Sequence, residues 1–78
     1  MSLDPDSGVP FYQQLYDLLR DQIVSGKLHG RMPSSRSLHE EYGVSHATSD
    51  RALVMLRDEG LIKSSRGLGY FTVRKGQG

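Results

Sequence analysis

Within these 78 residues, the side chains best equipped for specific chemistry gather between Ser45 and Arg66. Ser45, His46, Asp50 and Arg51 fall close together, Lys63 follows, and Arg66 lies between two short β-type runs. They offer hydrogen-bond donors, acceptors and positive charge, but no ordered nucleophile, base and orienting acid. The serines carry no Gly-x-Ser-x-Gly elbow and no partner triad. His29, His39 and His46 sit on a connector and two separate helical stretches, without an HxxxH pair or any cysteine. No metal site is therefore expected. Glu40 and Glu41 lie about 100° apart on a helix and read as solvated. Gly67-Leu68-Gly69 lacks the third glycine and following helix of a dinucleotide site. These residues suit recognition rather than catalysis, so neither an enzyme nor a cofactor is expected.

Recognition side chains need a rigid support, and the apolar spacing predicts one. Phe11, Tyr12, Leu15, Leu18, Leu19 and Ile23 share one helical face, with Gln13, Asp17, Arg20 and Asp21 opposite. Pro10 suits the first turn of that helix and Ser25-Gly26 its end. Lys27 to Pro33 is a connector turning at Gly30, with a single short strand pairing expected at Met32. Ser34 is the natural N-cap of a helix over Ser35–Tyr42, which buries Leu38 and Tyr42. Gly43 is placed as its left-handed terminator, and Val44 as the hydrophobic contact that follows.

Ser45 caps a third helix, His46 to Glu59. Ser49, Ala52, Leu53 and Leu56 form its inward face, about 100° wide. His46, Ala47, Asp50, Arg51, Val54, Arg57 and Asp58 lie away from that face, and Gly60 ends the helix. Leu61–Ser65 and Tyr70–Val73 read as two strands joined by Arg66-Gly67-Leu68-Gly69, whose glycines allow positive φ. The order is mainly α with a small β-hairpin, an α+β three-helix winged helix-turn-helix. It predicts one domain over residues 10–74, a flexible lead-in at 1–9 and the start of a linker at 75–78.

Composition narrows the setting. A chain this short has a core near the lower limit of independent stability. The lack of cysteine fits a reducing cytoplasm. No apolar run approaches the ~20 residues of a membrane span, and the first helix has an acidic polar face, so no membrane partner is expected. Net charge is only +1, but it is unevenly spread. Residues 1–24 hold four aspartates against Arg20, whereas 61–78 hold Lys63, Arg66, Arg74 and Lys75 and no acid. Such asymmetry can orient a domain on a polyanion.

A helix-turn-helix presents the start of its second helix to base edges of double-stranded DNA. That places Ser45, His46, Ala47, Asp50 and Arg51 near DNA, with the first amides of the helix open to a phosphate. Arg66 at the hairpin tip can reach phosphates or a minor groove, and Lys63 can neutralise a phosphate. The alternative is a winged helix used for protein–protein contact, favoured by Asp50, low net charge and an outward Val54.

Six blocks in register carry a resemblance over residues 10–73. They are Pro10-Phe11-Tyr12-Gln13-Gln14-Leu15, Leu19-Arg20 with Ile23 and Ser25-Gly26, Pro33-Ser34-Ser35-Arg36-Ser37-Leu38, Tyr42-Gly43-Val44-Ser45, Arg51-Ala52-Leu53 with Leu56 and Glu59-Gly60-Leu61-Ile62, and Gly67-x-Gly69-x-Phe71. The chain resembles the amino-terminal domain of GntR-family bacterial transcription regulators. The resemblance implies an operator-binding winged helix, most often in a repressor, either excised from a longer protein, which the end just past the wing favours, or a short protein that has lost the rest. It further implies a missing carboxy-terminal domain that makes the homodimer and, where present, takes a small-molecule effector. Carried over by position, it implies DNA contacts from Arg36, from Ser45, His46, Ala47, Thr48 and Asp50, and from the Arg66–Gly69 turn. His46 stands where the family usually has arginine, and Asp50 where it often has arginine or lysine. The Gly26–Pro33 connector is shorter than usual and lacks the Pro-Gly turn. These departures imply an operator unlike the family's common ones.

Overall fold

Leucines spaced for helical faces meet in one core, and the elements follow from them. The computed structural model describes residues 3–73. Its order is α1 Phe11–Val24, α2 Ser35–Tyr42, α3 His46–Asp58, β1 Ile62–Ser65 and β2 Gly69–Thr72. Leu15 and Leu19 of α1, Leu38 of α2, and Ala52, Leu53 and Leu56 of α3 are buried together with Met32, Val44, Leu61 and Ile62. Ser49 is fully buried and donates to the Ser45 carbonyl, so α3 keeps a small, satisfied residue on its inner face. The inward set expected for α3 is the observed one.

Two serine caps start the helix pair. The Ser34 hydroxyl accepts from the Ser37 amide at 3.1 Å, and the Ser45 hydroxyl from the Thr48 amide at 3.1 Å. Each satisfies one of the otherwise orphaned amides of a helix start. Between them Gly43 ends α2 at φ 70, with its amide donating to the His39 carbonyl. That backbone shape costs an L-residue about 1–2 kcal/mol. No atom lies where a Cβ at Gly43 would stand, so conformation alone sets the penalty. Gly43→Ala should therefore lower unfolding stability by about 1–2 kcal/mol, read as a shifted urea midpoint. An unmoved midpoint would show that the turn does not depend on glycine.

The wing is a two-stranded antiparallel hairpin pairing Ile62 with Thr72, Lys63 with Phe71, Ser64 with Tyr70 and Ser65 with Gly69. The Leu68 amide donates to the Ser65 carbonyl at 3.0 Å, and Gly67 has φ 73 while Arg66 stays at negative φ. Those signs are of a type II turn with glycine at its third position. The connecting turn is thus Arg66-Gly67-Leu68, and Gly69 opens β2 instead of belonging to the turn. Leu61 and Val73 lie just outside the strands, although the Val73 amide still donates to the Leu61 carbonyl. The expected pairing of the connector exists, centred one residue earlier: Arg31 bridges Phe71, and the Met32 amide donates to the Tyr70 carbonyl at 2.8 Å.

Other boundaries also shift. α3 stops at Asp58 with Glu59 as its cap, and Phe11 remains 39% exposed because the core begins one turn later, at Leu15. The segment expected as a flexible lead-in is hydrogen-bonded to α1. The Gln14 side chain accepts from the Asp4 amide and donates to Ser7 and to the Asp4 and Val9 carbonyls. The expected linker at 75–78 lies outside the described residues.

Candidate nucleic-acid interface

The start of α3 carries five of the expected contacts, Ser45, His46, Ala47, Thr48 and Asp50. Ser45 and Thr48 spend their hydroxyls partly on each other, Ser45 donating to Thr48 Oγ1 at 2.9 Å while capping its amide. His46 and Ala47 follow directly, both exposed, and their amides have no hydrogen-bond partner among the described residues. Asp50 lies one turn on, exposed, on the His46 side of the helix. This end therefore shows outward amides, an imidazole and a carboxylate on a helix whose opposite face is locked into the core. An amide pair there favours an anion, and a carboxylate can accept from a base amine but repels phosphate.

Arg51 is drawn elsewhere. Its guanidinium carbon lies 3.8 Å from the centre of the Tyr12 ring on α1. A cation over an aromatic face is held by the ring quadrupole, so Arg51 fastens α3 to α1 with its charge still exposed. Tyr12, expected only as part of the α1 apolar face, is thus the holder of a candidate phosphate ligand. Deeper along the same helix pair, the Tyr16 hydroxyl donates to Glu59 Oε1 at 3.3 Å. Burial, then the Glu59 charge, push the Tyr16 phenol above its ordinary value and keep it a donor.

Arg36 stands on the outer side of α2, with its side chain 82% exposed and Nε 3.5 Å from Glu40 Oε2. An exposed i,i+4 pair of this kind contributes only about 0.3–0.5 kcal/mol, so the guanidinium is available for exchange onto another anion. On the wing, Arg66, Gly67 and Leu68 form an exposed tip. Lys63 lies on the outer face of β1, since neighbouring Ile62 is buried. Directly paired residues share a sheet face. The bridge therefore places Arg31, Phe71 and Lys63 in one row, a half-buried aromatic between two exposed cations. Sequence reasoning missed Arg31, and only the strand register shows it.

His39 was missed as well. Its Nδ1 meets the Val44 carbonyl in the turn, and its ring stacks on His46 with centroids 4.4 Å apart and planes 20° from parallel. Seven positions separate the two residues across a turn, so no helical periodicity links them. Among the described residues, no group of three His, Cys, Asp or Glu stands close enough to hold a metal ion. Among the described residues, no helix is long and apolar enough to cross a membrane. A groove runs along α1 beside Asp17, Leu18, Asp21 and Val24, and none of the candidate DNA-contacting residues lines it.

Known proteins share this fold. The chain is 37% identical over 73 residues to the HTH-type transcriptional repressor NagR of Bacillus subtilis, covering 91% of this chain and 30% of that one. It is 39% identical over 71 residues to the histidine utilization repressor of Klebsiella aerogenes, covering 87% and 30%. The chain thus spans about three-tenths of the length of these relatives. Among solved structures, YtrA of Sulfolobus acidocaldarius, a GntR-family transcription factor, superposes with a TM-score of 0.86 at 30% identity, over all of this chain and 68% of YtrA. The AraR DNA-binding domain in complex with operator ORX1 superposes at 0.82 and 30% identity, over 94% of this chain and 95% of AraR's. The model of the gntR family of bacterial regulatory proteins matches residues 11–72, and this chain belongs to that family.

Proposed function

We propose that this chain binds double-stranded operator DNA in a sequence-specific way, as the DNA-reading part of a transcription regulator that acts as a repressor. The observation that carries the reading is the start of α3. Its inner face is fully engaged, while His46, Ala47 and Asp50 project outward beside two amides that have no partner among the described residues. In this reading α3 enters the major groove. Ser45, His46, Ala47, Thr48 and Asp50 lie at base edges or flanking phosphates, and Arg36 and Arg51 on the backbone. The wing carries Lys63 and the Arg66, Gly67, Leu68 and Gly69 stretch to backbone or minor groove.

The same reading includes a further carboxy-terminal domain in the whole protein, one that pairs two copies and takes a small-molecule effector. It rests on the family and on the greater length of the relatives. Operator binding of this kind belongs in the bacterial cytoplasm. Selection of bound sites from randomised duplexes tests the DNA reading. A salt-sensitive complex with a defined preference is expected, and His46→Ala should change that preference at one base pair. No salt-sensitive complex at any concentration would instead support a protein–protein role, in keeping with Asp50 and the low net charge.

A further inference from the structure

We propose that His39, which does not itself face a base in this reading, is a positioning residue that fixes the direction in which His46 reads DNA. The inference rests on the reading that the start of α3 meets base edges. A carbonyl oxygen only accepts, so the contact with Val44 requires His39 Nδ1 to carry a proton and donate. That bond ties the α2 side chain to the backbone of the turn and fixes the ring plane. On the free face of that plane lies the His46 ring, at 4.4 Å and 20°. One side chain thus links helix, turn and helix start.

The consequence concerns His46. An exposed histidine at the first position of a helix has several open rotamers, and binding must freeze one of them. Stacking on an already fixed ring selects an orientation before DNA arrives, and preorganisation of this sort lowers the cost of binding. It also decides which ring edge faces outward, and so which base-edge pattern the imidazole can pair with. The stacked face itself is covered and cannot serve as a contact.

Two variants separate the stack from the hydrogen bond. His39→Asn keeps an N–H near the position of Nδ1 but removes the ring. His39→Phe keeps a ring face but removes the donor. His39 lies on the surface, so both variants should fold, as circular dichroism and a urea midpoint can check. In the free protein, the His46 Cε1–H resonance should carry the ring-current shift of a stacked imidazole in wild type and His39→Phe. It should revert to that of an unstacked ring in His39→Asn.

On DNA, discrimination at the base pair assigned through His46→Ala should fall about two- to tenfold in His39→Asn, the range of an aromatic pair contact. His39→Phe, which keeps the ring face without the bond that holds it, should restore it in part, despite any lower urea midpoint. An unchanged His46 resonance in His39→Asn would overturn the inference. So would His39→Phe losing discrimination as fully as His39→Asn, or an equal loss at every base pair tracking stability. Absence of duplex binding by wild type would overturn the DNA reading and this inference together, whereas the resonance test concerns the stack alone.

Discussion

Replacing Leu56 with alanine is expected to lower unfolding stability by about 3 kcal/mol, within the range measured for buried leucines. Leu56 is fully buried in the core cluster it shares with Leu15 and Leu19 of α1, Leu38 of α2, and Leu61 and Ile62. Truncation removes apolar contact and leaves a hole that a core this small cannot close cheaply. A domain of this length has only about 5 kcal/mol in hand, so most of its margin would go. Urea titration measures the effect as a lower midpoint at unchanged slope. Asp58→Ala on the exposed side of the same helix should shift stability by no more than about 0.5 kcal/mol. Equal shifts in the two variants would mean that α3 is not anchored through its inner face. DNA affinity per folded molecule should survive Leu56→Ala, because the residue touches only the core.

Salt should have the other large effect. If Arg36, Arg51, Lys63 and Arg66 each neutralise one phosphate, log affinity falls against log salt with a slope of about −3.6. Raising salt from about 50 to 200 mM then weakens operator binding roughly a hundredfold. The four cations are not equivalent. Arg36 has Glu40 beside it and Arg51 has the Tyr12 ring, whereas Lys63 and Arg66 make no ion pair among the described residues. Arg66→Ala should flatten the slope by about one unit and weaken all sequences alike. Anisotropy titrations at several salt concentrations measure both quantities. Loss of discrimination at one base, with the slope unmoved, would assign the wing tip to base reading instead of the backbone.

Much of this molecule was legible before any coordinates, and the legible part is local. Ser34, Gly43 and Ser45 act on amides and carbonyls within four residues of themselves, so a linear reading finds them. The 3.6-residue period likewise ties Ser49, Ala52, Leu53 and Leu56 to one face, whatever they pack against. The family blocks added order along the chain and named Arg36 and Thr48, which spacing alone does not single out.

What remained hidden depends on how elements meet. Whether Arg51 is free or laid on Tyr12 depends on how α1 crosses α3. The row of Arg31, Phe71 and Lys63, and the transfer of Gly69 from turn to strand, follow from a register set by hydrogen bonds between strands. The stack of His39 on His46 needs the angle between α2 and α3 that the Gly43 turn imposes. Sequence by itself determined which faces are buried and where each helix starts. Only tertiary structure decided which exposed charges are held and which are free, because short-range periodicity carries no information about crossing angle or register.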